Sequence, residues 1–547
     1  MTDRGHELWR WRAARPVRRT ERVVLLALIG AGVLSVARFA DWWFAPAHVG
    51  NLPLYVVLSL ALWYGIARMV LGWVNLIAIR KPKHVPAAEG LRVAIFTTSS
   101  PGEPLSMFER TLEACARVRY PHTTYLLDDT EDPAFRAVAE QHGAVWMPLV
   151  GLPGAKAGKI NAALSRTDEE FILVLDPDHV PFPNFLHRVL GHFQNERVGF
   201  VQVAQAYYNQ HRSFTARGAA EQTYTFYGPT QMGLHGHGAA VAIGANCTFR
   251  RRALESIGGH GIGLAEDLVT SIRLHAAGWK SVYVPEVVSR GLVPEDVGSF
   301  YRQQLKWARG VYEVLFTEVP RAFFSLRWRQ RLSYLGIGTY YLFGLTTLLY
   351  LIIPYLFLWT GVQPAAMRFE AFLTIGGPVA WLGVAIYIVS QRWLAHPEHE
   401  RGFHWRGLSL KVASWPVFLV GSALAIVRAE IPYIPTAKEA RRGRFVALAW
   451  PHLILAGAFL MSVAWTTYRR LALAPEESLF LTSEATWGMV AFATTSVVLA
   501  SGGIYAAWRA RTLPARRPWD AVQVERIVVV AEEPGEPGVA HGREGVG

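Results

Sequence analysis

Apolar positions gather along the chain into long unbroken runs at about 23–40, 53–79, 343–361, 371–391, 446–466 and 486–508. Each is close to the roughly 20 residues that a helix needs to cross a bilayer core. A seventh run, 408–427, contains Lys411 and Pro416 and has basic residues at both ends. It is expected to lie in the interface as an amphipathic or re-entrant segment rather than to span. Between the second and third runs the pattern changes. LRVAIFTT (91–98), TTYLLDD (123–129), AVWMPLV (144–150) and FILVLDPD (171–178) read as strands, with amphipathic helices at 104–118 and 132–142 between them. This is the βαβ pattern of a parallel, helix-covered sheet, inserted in a helical membrane bundle.

Composition agrees with a membrane protein: the 547 residues are 51% hydrophobic and include 20 Trp. Charge then orients it. Arg10, Arg12, Arg15, Arg18, Arg19 and Arg22 precede the first run, and Arg80, Lys81 and Lys83 follow the second. The positive-inside rule therefore puts the N-terminus and the soluble domain in the cytoplasm of a multi-pass inner-membrane protein. The first run ends in Arg38, Asp41, Trp42 and Trp43 without a small-residue cleavage site, as a signal anchor does. The net charge of +13 is accounted for by such flanks. No basic stripe interleaved with aromatics points to nucleic acid. The two cysteines, Cys115 and Cys247, have neither metal-ligand nor disulfide spacing, which suits a reduced compartment.

The expected organisation is 1–80, N-terminus and two membrane helices; 81–300, the soluble α/β domain; 301–342, interfacial helices; 343–508, four membrane helices with the interfacial segment 408–427 and a loop at 433–444; and 509–547, a tail. The tail, rich in Pro, Gly and Glu after about 512, is expected to be disordered and too short for a separate β-barrel.

In parallel α/β sheets ligands bind beyond the carboxyl ends of the strands. Two strands end there in acids, Asp128 and Asp129 on one, Asp176 and Asp178 on the other. Two carboxylates two residues apart can hold a hard divalent cation that keeps other positions for phosphate oxygens and water. By itself Asp-x-Asp is as often a solvated turn. Here it has company: GAKAGKINAAL (154–164), with Lys156 to neutralise phosphate and Asn161 starting a helix; then FVQVAQAYYN (200–209), GANCTFRRRAL (244–254), LAEDLVTSIRLHAAGWKSVYVPE (264–286) and RQQLKWARG (302–310).

In this order the motifs resemble the membrane-integrated family 2 glycosyltransferases, the processive group that includes bacterial cellulose synthase and hyaluronan synthase, over about residues 80–445. The resemblance implies a GT-A-like cytoplasmic domain that uses a UDP-sugar and Mg²⁺ or Mn²⁺. It implies that Asp128 and Asp129 contact the nucleoside, with Thr98 and Glu103 nearby, and that Lys156, Asp176, Gln303 and Lys306 serve the nucleotide sugar. Asp176 and Asp178 match the DxD metal motif, with adjacent His179 as a further ligand. Asp267 matches the Asp of the TED motif and is the expected base, at a helix N-terminus that favours its carboxylate form. Glu266, Cys247 and Trp307 are expected at the acceptor sugar, Trp307 as a stacking face. The motif FxVTxK, a gating loop in this family, is matched by YIPTAK, with Tyr433, Thr436 and Lys438 in the key places and Pro435 where the family has Val.

Two departures bear on specificity. Lys306 stands where the family has Arg, which keeps the charge but loses the planar two-pronged donor. The segment VAIGA (241–245) replaces the FFCGS of cellulose synthases beside the acceptor. The expected activity is processive, inverting polymerisation of a β-glycan from a UDP-sugar, UDP-glucose first, with translocation of the polymer, the lipid bilayer and accessory export subunits as further partners. Alternatives are a β-glucan synthase of other linkage, a hyaluronan- or poly-N-acetylglucosamine-type synthase, a single transfer to a lipid acceptor, or a channel or receptor that only binds nucleotide.

Overall fold

The computed structural model describes residues 9–431, 445–472, 483–512 and 517–527. Two long helices, α1 (Arg19–Trp43) and α2 (Leu52–Ile77), come first. The α/β domain follows as β1 (Val93–Thr98), α3 (Leu105–Ala116), β2 (Thr123–Asp128), β3 (Val145–Pro148), α4 (Ala155–Leu164), β4 (Phe171–Leu175), β5 (Val198–Val203), β6 (Cys247–Arg250), α5 (Glu266–Ala276) and β7 (Lys280–Val284). Then come α6 (Val297–Phe316), α7 (Trp328–Gly338), α8 (Phe343–Thr360), α9 (Phe369–Ser390), α10 (Trp405–Ala413), α11 (Trp415–Ile426), α12 (Trp450–Ala472) and α13 (Ser483–Arg509).

The sheet order is β3-β2-β1-β4-β6-β5-β7. β6 runs antiparallel to β4 and β5, while β1 is parallel to β2 and β4, β2 to β3, and β5 to β7. This is the mixed, GT-A-like sheet that the resemblance implies. The central strands VAIFTT and FILVL are buried at every position, because helices cover both faces. β3 is an edge strand, partly exposed, and ends in Pro148, which an edge tolerates.

Among the described residues, five helices are long and apolar enough to cross a membrane: Arg19–Trp43, Leu52–Ile77, a continuous Trp328–Thr360, Phe369–Trp393 and Glu484–Arg509. Residues 328–342, expected among the interfacial helices, thus join the helix that follows. The run 446–466 forms α12, 23 residues long, but His452 and the closing Tyr468-Arg469-Arg470 dilute its hydropathy below that of the other five. The segment 408–427 forms two helices, α10 and α11, bent by 47°. Pro416 sits in the first turn of α11, where its missing N–H costs nothing but ends the helix before it. The Lys411 ammonium lies 4.6 and 4.4 Å from the ring centres of Tyr340 and Phe343, so aromatic faces hold the charge that hydropathy flags.

Both ends of the described chain lie on the α/β domain. Arg12–Ala13 pairs antiparallel with Glu286–Val287. Glu286 accepts two bonds from Arg188, at 2.7 and 2.8 Å, and one from Trp11 Nε1 at 3.2 Å. At the other end the expectation of a disordered tail is corrected for 517–527. Trp519, Val522, Val524 and Ile527 are buried against α3, with Trp519 1% exposed. Four apolar side chains at short intervals suffice to order a segment that has a helix face to pack on.

Candidate active site

The carboxyl ends of β1, β2 and β4 form one edge, and the start of α5 closes it from the far side of β6. At the end of β2 the two acids part. Asp128 is fully buried, and its carboxylate accepts bonds from the Ser99 hydroxyl, from Thr130 N at 3.1 Å and Oγ1 at 2.8 Å, and from Trp146 Nε1 at 2.9 Å. The nucleoside contact expected of Asp128 is corrected accordingly. With its oxygens turned inward onto four donors, it fixes the strand end. We expect Asp128→Asn to lower thermal stability, by about 1–3 kcal/mol for mispaired buried donors, before it alters the donor KM; a denaturation curve beside a donor titration checks this.

Asp129 faces the edge. It accepts Gly151 N at 2.9 Å and pairs with Lys159 Nζ at 3.2 Å. Lys159 also donates to Ser99 O and to Ser100 Oγ, so it ties this edge together from α4. Sequence reasoning missed it, although it lies three residues after Lys156 and so on the same helix face. Glu103 accepts Ser100 N at 2.9 Å in the same loop, and Thr98 is buried at the end of β1. Asn161 is in mid-helix, its side chain bonded to the backbone N–H and carbonyl of His260, which corrects its reading as a helix start.

After β4, Asp176, Asp178 and His179 bring one ligand atom each within 4.8 Å of one another. Asp178 and His179 are buried, and Asp178 Oδ2 accepts Leu292 N at 2.7 Å. His179 Nδ1 is buried with no hydrogen-bond partner, 3.6 Å from Asp178 Oδ1, while its Nε2 meets the Gln205 amide. Two carboxylates and an unsatisfied imidazole nitrogen suit a divalent cation such as Mg²⁺ or Mn²⁺.

Lys156 joins this cluster to the other wall. Its buried ammonium donates to Asp176 Oδ1 and to the Gly244 carbonyl. Burial alone would push it down; Asp176, Glu266 and Asp267 overcome this and leave it raised. Gly244 has φ +81° and stands so near the acidic pair that a Cβ on it would lie 3.6 Å from both Asp267 Oδ2 and Glu266 Oε1. A side chain in the VAIGA segment would thus fill the space in front of the proposed base.

Glu266 and Asp267 form the first turn of α5 and are half-buried. Asp267 Oδ1 accepts Leu268 N at 2.7 Å. The expected helix-terminal lowering does not prevail. Burial, with Glu266 beside it, pushes Asp267 up to about 7, against Leu268 N–H, Lys156 and Lys306. Glu266 is raised too, by burial, with the same two lysines opposing. A base near 7 is matched to proton transfer at neutral pH. Turnover should therefore fall about tenfold for each pH unit below about 7, as Asp267 takes up a proton. A pH profile of kcat/KM checks this, and the acid limb should vanish in Asp267→Asn.

Lys306 reaches this pair from α6, which also carries Gln303 and Trp307. The helix can lie this close because Gly310 abuts the loop before the acids: a Cβ there would stand 3.0 Å from Ala265 N. Asp296 caps α6, accepting Ser299 N at 2.8 Å. Trp307 packs beside Tyr312, Tyr341 and Phe418. Cys247 is corrected from the acceptor set. It is 1% exposed in the core behind Lys156 and Asp267, where burial pushes its thiol well up. Tyr433, Thr436 and Lys438 lie outside the described residues.

Comparison with known proteins places this geometry. Residues 171–363 match the sequence model described as Glycosyl transferase family group 2. The chain is 28% identical over 341 residues to the cellulose synthase catalytic subunit [UDP-forming] of Xanthomonas axonopodis pv. citri, covering 59% of this chain and 46% of that one. It is 30% identical over 270 residues to the same subunit of Komagataeibacter sucrofermentans, 47% of this chain and 36% of that one. It is 27% identical over 392 residues to cellulose synthase 2 of Novacetimonas hansenii, 69% of this chain and 25% of that one. The chain thus spans less than half the length of these relatives. Among solved structures, a mannosyltransferase from Pyrobaculum calidifontis in complex with GDP-Man and Mn²⁺ superposes with a TM-score of 0.45 at 16% identity, covering 69% of this chain and 99% of that one. Residues 171–363 thus carry a family 2 glycosyltransferase domain. Over the matched residues the chain is similar to bacterial cellulose synthases at 27–30% identity.

Proposed function

We propose that the chain is a processive, inverting hexosyltransferase. It extends a cellulose-like β-glucan from UDP-glucose and passes the polymer through its own membrane helices. The carrying observation is the Lys156 bridge, which holds the Asp176 carboxylate and the Gly244 carbonyl in one cleft with Asp267 on its opposite wall. Asp267 takes the proton of the acceptor hydroxyl as that oxygen bonds to the donor C1, and the C1–oxygen bond to the diphosphate breaks. A divalent cation held by Asp176, Asp178 and His179 would supply charge neutralisation for the leaving diphosphate. Lys156 and Lys306 add positive charge on either side of the departing oxygen. Donor binding falls to Thr98, Glu103, Asp129 and Gln303, with Thr436 and Lys438 closing over the diphosphate. Glu266 and Trp307 line the acceptor side.

Helix contacts support six crossings, and the arginine-rich flanks make the side of the α/β domain the cytoplasmic one. The start of α1 and the end of α9 meet through Glu21, which pairs with Arg15 and, at 3.4 Å, with Arg392. The 394–404 loop returns to the α/β domain, where His396 Nδ1 accepts Arg290 Nη2 at 2.8 Å. Tyr301 Oη lies 3.3 Å from Ala413 O and 3.4 Å from His452 Nε2, so α10 ends and α12 starts on that same side. The far end of α12 meets the far end of α8, Trp465 Nε1 donating to Trp359 O at 3.2 Å. On this path α11 runs along α6, with Gly421 against Ala308 and Ala429 O accepting Arg309 Nε at 3.2 Å, and α12 crosses despite its modest hydropathy.

The reading is tested by incubating vesicles with single UDP-sugars and Mg²⁺ and digesting any product with linkage-specific hydrolases. A long, protease-resistant polymer cut by a β-1,4-glucanase is expected. Short lipid-linked products would contradict processivity.

A further inference from the structure

The segment 517–527 lies on α3, which also bonds the Asp176–His179 turn. Trp519 Nε1 donates to Ser106 Oγ at 3.0 Å, and Arg517 Nη1 donates to the same oxygen at 3.2 Å. Ser106 opens α3, directly after the Ser99–Pro104 loop that carries Glu103. On the next turns of α3, Met107, Phe108 and Leu112 are buried with Trp519, Val522 and Val524 in a single apolar cluster. Val180 and Phe182, which follow the Asp176-Pro-Asp-His179 turn at once, belong to the same cluster. A polar link completes the path. Thr111, 1% exposed on α3, donates through Oγ1 to the carbonyl of Pro177, between the two aspartates, at 2.7 Å.

We infer that residues 517–527 are a positioning brace for the metal turn, acting through α3 and Thr111 and tying the donor site to the part of the chain that follows the last long helix. The brace touches neither donor nor cation. It fixes where the backbone of Pro177 stands, and hence the separation of the Asp176 and Asp178 carboxylates. Cation ligation is sensitive to such outer support, since loss of an orienting partner typically weakens metal affinity by about 10- to 100-fold. The inference rests on the assignment of Asp176, Asp178 and His179 as cation ligands.

The test is Mn²⁺ binding to the purified full chain in the presence of UDP, read by electron paramagnetic resonance, with a melting curve for each variant. Trp519→Ala and Thr111→Val should each weaken Mn²⁺ binding about tenfold. Thr111→Ser, which keeps the hydroxyl, should restore it. Leu254→Ala, a comparable core loss on the other face of the sheet, should lower the melting temperature but leave Mn²⁺ binding at the wild-type value. Unchanged Mn²⁺ affinity in Thr111→Val and Trp519→Ala, beside normal binding in the wild type, would overturn the brace alone. Absence of bound Mn²⁺ in the folded wild type would overturn the site assignment beneath it.

Discussion

Asp267→Asn should lower turnover by about a hundred- to ten-thousandfold while UDP still binds, because the change removes the proposed base and little else. The amide is isosteric, and its oxygen can keep the bond from Leu268 N that Asp267 Oδ1 accepts. Gly244 and Lys156 retain their places, since neither depends on a direct bond to this carboxylate. What disappears is the group that burial and Glu266 hold near 7, poised to take a proton from an acceptor hydroxyl. UDP release and calorimetric UDP binding, measured on the same preparation, separate the two effects. Loss of binding with loss of turnover would place Asp267 among the donor contacts instead.

Asp178→Asn is expected to have the second large effect, abolishing cation binding and reducing turnover by about a thousandfold or more. Charge stabilisation of several kcal/mol is at stake, at about 1.4 kcal/mol per decade of rate. Asp178 is buried beside His179 Nδ1, which has no hydrogen-bond partner, so the neutral variant removes half of the anionic charge that the pair of aspartates offers. Leu292 N can still be satisfied by the amide oxygen, so the fold should persist. Melting curves with and without Mn²⁺ distinguish the outcomes: the wild type gains stability from the ion and the variant does not.

Much of this was legible in the chain, for physical reasons that differ by element. Strands such as VAIFTT and FILVL announce themselves because a parallel sheet covered on both faces needs continuous apolar runs. The cluster of Asp176, Asp178 and His179 was legible because its residues are adjacent. Asp128 was not, since a pair of acids at a strand end does not say which one turns inward; that is set by Trp146 and Thr130 around it. Lys306 could be found by motif, but its nearness to Glu266 and Asp267 depends on Gly310 letting α6 close on Ala265. Helix-terminal position suggested a lowered Asp267, whereas burial and a second acid outweigh a dipole spread over the first turn. Trp519 was read with its polar neighbours, and only the apolar face of α3 that it covers explains why it is ordered.

In the proposed reaction one cleft, with a cation on one wall and Asp267 on the other, transfers a sugar from a UDP-sugar. This transfer is tested most directly by UDP release from the purified protein in proteoliposomes, with UDP-glucose, UDP-N-acetylglucosamine and UDP-glucuronate supplied in turn, before and after EDTA. Steady UDP release is expected with UDP-glucose, stopped by EDTA, restored by Mg²⁺ or Mn²⁺, and absent in Asp267→Asn. Folded, reconstituted protein that releases UDP from none of these donors, or that releases it equally well with EDTA present, would rule out cation-dependent transfer at this cleft.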